Sequence, residues 1–206
     1  NQLESVYGRE DEINSILDIL GRKKNNNPCL VGPSGTGKTA IVEGIAYKQK
    51  NGFLPDKIIW ELNIHSLISG TEYRGSFEKR VSELIAAVNE LSDKIVVFVD
   101  EIHLLNSSSN TLLANMLKPE LARGLFPMIG ATTPDEFKRH IASDPAFERR
   151  FSIVKIDEPS GDELLQIVSK SSFSLSKFHK IDLTDTDLIQ NAIRLSNRYI
   201  SGKAQP

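Results

Sequence analysis

The feature that most constrains the fold is a glycine-rich octapeptide, GPSGTGKT, at residues 32–39. It directly follows the short apolar run PCLV and precedes a helical stretch that extends to about Lys50. The spacing G-x-x-x-x-G-K-[ST] between a strand and a helix is typical of a phosphate-binding loop, because glycines let backbone N–H groups surround phosphate oxygens. We therefore expect a nucleotide site formed by Pro33, Ser34, Gly35, Thr36, Gly37, Lys38, Thr39 and Ala40.

Two side chains of this loop carry the chemistry. Lys38 can reach the β- and γ-phosphates, and the Thr39 hydroxyl can ligate Mg²⁺. Gly35, Gly37 and Ala40 also fit the looser G-x-G-x-x-A pattern of a dinucleotide-binding turn. The choice between the two readings depends on Lys38-Thr39 and on a second, acidic motif.

That acidic motif is the pair Asp100-Glu101, which follows the β-branched run 95–99. A carboxylate at a strand end can hold the water shell of Mg²⁺, and its neighbour can orient the attacking water. We assign Asp100 to the metal and Glu101 to the polarisation of water. The alternative is a strand-end acidic pair that only faces solvent. The presence of Asp100-Glu101 together with the phosphate loop favours instead a site for ATP or ADP with Mg²⁺.

The fold class follows from the alternation of apolar strands with amphipathic helices. This alternation predicts an α/β fold with a parallel sheet flanked by helices. The strands are expected within residues 28–32, 56–63, 94–101, 126–133 and 151–156. From Pro159 onward the pattern is helical only, so we place a boundary between a large α/β nucleotide-binding subdomain, 1–157, and a partial helical subdomain, 158–206.

Several residues mark where helices begin or which face they bury. Thr133 to Glu136 reads as a capping box, and the segments 160–163 and 184–187 read as further helix starts. An apolar stripe from Phe77 to Leu91 predicts one helix, and Trp60 is expected in the core. The last helix carries an apolar face formed by Leu188, Ala192, Leu195 and Tyr199.

Composition excludes some classes of partner. The 206 residues carry a formal net charge of −2, and no basic stripe with interleaved aromatics is present, so we expect no nucleic acid and no membrane as partners. Cys29 is the only cysteine, so an internal disulfide is impossible, and this fits a reducing, cytoplasmic location.

Taken together and in order, the motifs resemble a known family. The segments are YGREDEI, GPSGTGKTAIVEG, SGTEYRGSFEKR, VDEIH, MLKPELARG, IGATT and AFERRF. They are similar to the first (N-terminal) ATPase module of Clp-type AAA+ protein unfoldases and disaggregases. The resemblance implies an AAA+ P-loop NTPase fold with part of a helical lid, and ATP hydrolysis that threads unfolded or aggregated polypeptide through a hexameric ring. A protease ring is a further partner that the family allows.

The resemblance assigns roles to particular positions. The glycine-rich loop matches the family's Walker A motif, and Asp100-Glu101 matches Walker B. Thr133 matches the polar sensor of the γ-phosphate or the attacking water. If Thr133 is instead occupied as a helix cap, Thr132 is the better sensor candidate.

Two further pairs receive roles through the same resemblance. Arg149 and Arg150 match tandem arginines that reach into the nucleotide site of a neighbouring subunit, whereas composition alone would predict a solvated surface pair. Val6 and Tyr7 match the segment that lines the adenine pocket, although the family usually has an aliphatic residue at Tyr7.

The tyrosine in the segment EYRG matches the pore loop that grips an extended polypeptide. The flat ring of Tyr73 can hold any side chain through contact area, and Arg74 could contact substrate backbone or a neighbouring loop. Gly70 and Gly75 would let the loop move. Without the resemblance, a tyrosine packed on its own loop is the alternative.

The chain departs from the family pattern at two places. The stretch after DEIH is shorter than usual around 104–111, and the chain stops at RYISGKAQP, where the family's lid continues. We therefore expect weak nucleotide binding and no ring from this chain alone. The rival interpretations are a nucleic-acid motor of the helicase or clamp-loader type, because DEIH fits D-E-x-H, and a nucleotide-sensing scaffold without hydrolysis.

Overall fold

A five-stranded parallel sheet forms the centre of the molecule. The structure, a computed structural model, describes residues 6–49, 57–69, 74–107, 111–200 and 204. The strands are β1 (Asn27–Val31), β2 (Ile58–Glu61), β3 (Ile95–Val99), β4 (Met128–Thr132) and β5 (Phe151–Lys155). Their order is β2-β3-β4-β1-β5, and every neighbouring pair is parallel. The predicted α/β fold with a parallel sheet is confirmed.

Helices follow nearly every strand. The α-helices are α1 (Glu10–Leu20), α2 (Lys38–Gln49), α3 (Ile64–Ile68), α4 (Arg74–Glu90), α5 (Thr111–Arg123), α6 (Pro134–Glu136), α7 (Pro145–Glu148), α8 (Gly161–His179) and α9 (Thr186–Tyr199). A 3₁₀-helix spans Ile102–Asn106, and a π-helical turn spans Phe137–Ile141. The helix α4 begins at Arg74, three residues before the apolar stripe, so Gly75 lies in its first turn rather than in a loop.

Alternation along β3, an interior strand, divides the core into two layers. Val96 and Phe98 point toward the cluster that contains residues of α1 and α2. Val97 and Val99 point toward the cluster that contains residues of α4 and α5. Successive side chains of a strand face opposite sides, so a β-branched run with no polar residue requires helices on both faces.

The predicted helix starts have different outcomes. Thr133 and Glu136 form a complete capping box, and Asp185 caps α9 by accepting hydrogen bonds from two backbone N–H groups. Ser160 occupies the N-cap position of α8, but its side chain makes no capping hydrogen bond, so the prediction for the segment 160–163 is wrong in that respect.

Two predictions about apolar residues also need correction or detail. Trp60 is 43% exposed because it lies on β2, the edge strand of the sheet, and is not a core residue. The four apolar residues predicted on one face of α9 are all exposed, and the buried residue of that helix is Ile189. Among the described residues, no helix is both long enough and apolar enough to cross a bilayer.

Candidate functional site

The predicted nucleotide residues meet at one edge of the sheet. The glycine-rich loop follows β1, Asp100 follows β3, and Thr132 ends β4, which lies between those two strands. Parallel strands bring their carboxyl ends to the same edge, so these residues line a common cleft of about 720 Å³. Small-molecule sites typically have volumes of about 300–1,000 Å³, and this cleft falls in that range.

The loop has the backbone conformation that phosphate binding requires. Gly35 and Gly37 have φ angles of +87° and +81°, a region that side chains disfavour. A Cβ atom on Gly32 would lie 2.2 Å from the carbonyl oxygen of Ile156, so only glycine fits where the loop passes β5. The helix α2 begins at Lys38, and its unpaired N–H groups therefore face the cleft.

Lys38 is held within the loop. Its Nζ donates hydrogen bonds to the carbonyl oxygens of Gly32 (2.8 Å) and Pro33 (2.7 Å). Burial lowers the pKa of Lys38 below its ordinary value of 10.5, although the carboxylates of Asp100 and Glu136 act in the opposite direction. The ammonium group would exchange its carbonyl partners for phosphate oxygens when a nucleotide binds.

The side chains predicted to hold Mg²⁺ are adjacent. The Thr39 hydroxyl donates to Oδ2 of Asp100 at 3.0 Å, and the other carboxylate oxygen accepts from the N–H of Glu101 at 3.1 Å. Among the described residues, no group of three or more His, Cys, Asp or Glu could hold a metal by itself. One hydroxyl and one carboxylate nevertheless fit Mg²⁺, which keeps several waters and takes further oxygens from phosphate.

Glu101 has an unusual backbone conformation. Its φ and ψ angles of 57° and 50° lie in the left-handed region, which costs a residue with a Cβ atom of order 1–3 kcal/mol. The residue lines the cleft and is exposed, beside the Asp100 carboxylate. Such strain is concentrated at functional sites, and here it accompanies the carboxylate that the sequence assigns to water activation.

A hydrogen-bonded cluster that the sequence interpretation missed lies at the end of β4. Glu136 accepts hydrogen bonds from the hydroxyl groups of Thr132 (3.1 Å) and Thr133 (2.8 Å), and Nδ1 of His103 lies 3.3 Å from its carboxylate. Burial alone would raise the pKa of Glu136, but the hydrogen bonds from both threonines and the charge of His103 lower it overall. Only the capping-box spacing pointed to Glu136 in advance.

A second pocket adjoins the back of the loop. Val6 and Tyr7 line it together with Ala40 and with Ile167 of α8, and its volume is about 240 Å³. The ammonium of Lys170 lies 4.8 Å from the centre of the Tyr7 ring, within the range of a cation–π interaction. This pocket has an aliphatic side and an aromatic side, and it reaches Thr36 and Gly37 of the loop.

Arg9, which the sequence interpretation did not single out, connects the loop to the helices that follow the sheet. It is only 5% exposed. Its guanidinium donates to the carbonyl oxygens of Thr36 (3.3 Å) and Asp157 (2.9 Å) and pairs with Glu12 (2.9 Å) and Glu163 (3.3 Å). The phosphate loop, the end of β5 and the first turn of α8 therefore share one buried cation.

Comparison with known families supports the same reading of the sheet and the cleft. Residues 28–155 match the model of the ATPase family associated with various cellular activities (AAA), and residues 160–206 match the AAA lid domain. The chain belongs to the AAA family. The AAA fold predicted from the motifs is therefore confirmed.

The relatives of this AAA module are Clp-type proteins, as the motifs indicated. The chaperone ClpB of Mycoplasmoides gallisepticum is 43% identical over the whole chain, which spans 30% of ClpB. A ClpA homologue of Solanum lycopersicum, the chloroplastic Clp protease ATP-binding subunit CD4B, is 44% identical over the whole chain, which spans 23% of it. A closed-state cryo-EM reconstruction of Hsp104 with ATPγS and FITC-casein superposes with a TM-score of 0.89 at 36% identity, over 99% of this chain and 36% of Hsp104.

Arg149 and Arg150 lie far from the nucleotide cleft of their own AAA module. They precede β5, at the opposite end of the sheet from the phosphate loop, and a five-residue strand spans about 16 Å. Arg149 is exposed and Arg150 is half-buried. The structure therefore does not bring the arginines together with Lys38 within one chain.

The residues predicted to contact a polypeptide substrate lie outside the described residues or at their margin. Tyr73 and Gly70 lie outside the described residues. Arg74 is the first residue of α4, and only its backbone is described.

Proposed function

We propose that this AAA module binds ATP with Mg²⁺ and hydrolyses it as part of a ring-forming protein unfoldase or disaggregase. The observation that carries the proposal is the single cleft lined by Lys38, Thr39, Asp100 and Glu101. A phosphate loop alone fits many nucleotide-binding proteins, whereas the added carboxylate pair supplies what hydrolysis requires. Similarity to Clp chaperones over the whole of this chain supports the protein-remodelling class over a nucleic-acid motor.

Each cleft residue has a defined task in this proposal. The loop N–H groups and Lys38 bind the β- and γ-phosphates, and Thr39 and Asp100 hold Mg²⁺, which neutralises the charge that develops on the transferring phosphoryl group. Glu101 orients the attacking water and accepts its proton. Thr132, which lines the cleft and is not part of the capping box, is the sensor, because Thr133 is engaged in that box.

The remaining parts of the nucleotide site and the domain boundary follow the predicted assignment. Val6 and Tyr7 would hold adenine in the second pocket, beside α8. We retain the boundary at residue 157, which falls between the segments that match the AAA domain and the lid domain. The chain alone would hydrolyse ATP weakly, since one further element of the site belongs to a neighbour.

That element is the pair Arg149 and Arg150. Because the pair lies at the opposite end of β5 from its own phosphate loop, it would stabilise a phosphoryl group in an adjacent copy of the chain. The Nε of Arg150 is buried and makes no hydrogen bond within the described residues. A buried atom cannot contact another subunit, so support for the trans role comes from the exposed position of Arg149 beside it. An arginine supplied in trans contributes about 10³–10⁵ in rate.

Mixed rings of the full-length protein test this arrangement. Glu101→Gln removes hydrolysis but leaves the arginines, and Arg150→Ala removes an arginine but leaves the cleft. We expect both homogeneous rings to be nearly inactive in this module and mixed rings to recover part of the turnover, because an intact cleft next to a Glu101→Gln subunit then meets an intact arginine. Mixed rings without recovery would show that the sites are not shared.

We further propose that Tyr73 and Arg74 contact an extended polypeptide in the channel of a hexameric ring. Support comes from the pore-loop resemblance and from the casein present with the related Hsp104. Tyr73→Ala should abolish polypeptide extraction while ATP turnover continues, and Tyr73→Phe, which keeps the aromatic face, should retain extraction. Normal extraction by Tyr73→Ala would refute this role. A protease ring and a cytoplasmic location stay predictions.

A further inference from the structure

A buried asparagine touches the segment that carries the arginine pair. Asn27 is the first residue of β1 and has no exposed surface. Its Nδ2 donates to the carbonyl oxygen of Arg150 at 3.3 Å, and its Oδ1 accepts from the N–H of Met128 at 3.0 Å. One side chain thus connects the residue before β5 to the first residue of β4.

The other end of the same turn is also fixed. Asp144 caps α7 by accepting from the N–H groups of Ala146 and Phe147, and it pairs with Lys118 of α5. Phe147 is fully buried, and the N–H of Arg150 donates to its carbonyl oxygen at 3.0 Å. The turn from residue 147 to residue 150 is therefore held from both sides.

We propose that Asn27 is a positioning residue for Arg150, and that its function is exerted on the nucleotide site of the neighbouring subunit. This inference rests on the proposed trans role of the arginine pair. Holding the Arg150 carbonyl holds the peptide plane that follows its Cα, and so restricts the backbone rotation that would turn its side chain relative to the sheet. Asparagine suits the position because its amide offers one donor and one acceptor.

Loss of this contact should displace the guanidinium rather than remove it. With Asn27→Ala, Met128 and Arg150 lose their side-chain partner, although Phe151 stays paired with position 27 in the sheet. A displacement of about 1 Å at a catalytic group can cost on the order of a hundredfold in rate. We expect a loss of about that size in homogeneous Asn27→Ala rings, smaller than the loss caused by Arg150→Ala.

The decisive experiment asks in which subunit the defect is expressed. The full-length protein is used, and turnover by this module is defined as the fraction of ATP hydrolysis that Lys38→Ala abolishes. Rings are mixed from an acceptor with an intact cleft and a donor that carries Glu101→Gln and supplies only its arginines. Asn27→Ala is introduced first into the acceptor and then into the donor.

The positioning role predicts a directional result. An Asn27→Ala acceptor with a Glu101→Gln donor should recover turnover as fully as an Arg150→Ala acceptor does. An Arg150→Ala acceptor with a donor that carries both Asn27→Ala and Glu101→Gln should recover only about a hundredth of the turnover that the unaltered Glu101→Gln donor restores. The inference is overturned if the altered donor restores turnover fully, or if the Asn27→Ala acceptor stays inactive, which would indicate damage to its own phosphate loop.

Controls separate this inference from the proposed function. If the Arg150→Ala acceptor gains nothing from an unaltered Glu101→Gln donor, the shared site itself is wrong. Asn26→Ala is the matched control, because Asn26 is buried next to Asn27 and its Oδ1 makes no hydrogen bond within the described residues. Asn26→Ala should behave as wild type whether it is introduced into the acceptor or into the donor. If Asn27→Ala subunits do not assemble, Asn27→Ser is measured in the same two positions with the same criteria.

Discussion

At the scale of single residues, two adjacent threonines have different surroundings. Thr132 ends β4, is 3% exposed, lines the cleft, and donates from its hydroxyl to Glu136. Thr133 begins the next helix and exchanges hydrogen bonds with Glu136 in a capping box. The family resemblance favours Thr133 as the sensor, but a hydroxyl engaged in the cap is less available to a phosphate or a water.

This difference can be measured with two substitutions. Thr132→Val keeps the shape but removes the hydroxyl, and it should lower turnover about tenfold to a hundredfold, the equivalent of one hydrogen bond to a charged group, with little effect on nucleotide affinity. Thr133→Ala should instead lower the free energy of unfolding by about 1 kcal/mol. Turnover assays and denaturant unfolding distinguish them, and the reverse result would return the sensor role to Thr133.

At the scale of elements, the short helix α7 depends on its cap. Four residues are too few for a helix to be stable by propensity, so the cap at Asp144 and the buried Phe147 must maintain it. The hydrogen bond from Lys118 is the main cause that lowers the pKa of Asp144 below its ordinary value of 3.8, and the two backbone N–H groups add to it. The charged carboxylate therefore stabilises the fold.

The sign of this shift predicts a pH dependence. The pKa of Asp144 is lower in the folded state than in the unfolded state. The contribution of its carboxylate to the free energy of unfolding is therefore complete above the ordinary pKa of 3.8, and it disappears as the pH falls through the pKa of the folded state. Asp144→Asn should be less stable than wild type at neutral pH, and the difference should shrink in acid. Urea unfolding at several pH values measures this, and a difference that stays constant with pH would contradict it.

At the scale of the whole molecule, Arg9 couples the sheet to the helices after residue 157. It reaches Thr36 in the phosphate loop and Glu163 in α8 from one buried position. Buried ion pairs carry a desolvation cost, so removal of one member leaves the other without compensation. The lid is thus connected to the phosphate loop through side-chain contacts as well as through the polypeptide chain.

Removal of this contact should weaken the response to nucleotide. Saturating ATP with Mg²⁺ should stabilise the full-length protein by about 2.7 kcal/mol at a concentration of 100 times Kd. Arg9→Ala should reduce both the affinity and this stabilisation, measured by nucleotide titration and thermal unfolding. Lys155→Ala is the control, because its ion pair with Asp157 is solvent-exposed and contributes little. Equal effects of the two substitutions would contradict the coupling.

Local patterns in the sequence were sufficient for most of the fold and for the centre of the site. The loop at residues 32–39 and the strand before Asp100 each encode their own conformation, since glycine spacing and β-branched runs act over a few residues. That both segments end at the same edge of the sheet also follows from a parallel fold, because parallel strands align their carboxyl ends. That β4 lies between their two strands did not follow. The exposure of Trp60 did not follow, since strand order decides which strand is an edge.

The sequence alone determined the Clp-type AAA fold, the phosphate loop and the acidic pair, because these motifs are contiguous. Only the tertiary structure showed that Glu136 and His103 meet Thr132, that Arg9 connects the loop to α8, and that Asn27 holds the turn before β5. These contacts join residues whose separation along the chain reaches 154 positions, from Arg9 to Glu163. A hydrogen bond between distant residues leaves no periodic signal in the sequence, because each partner is selected by the packing of the whole sheet.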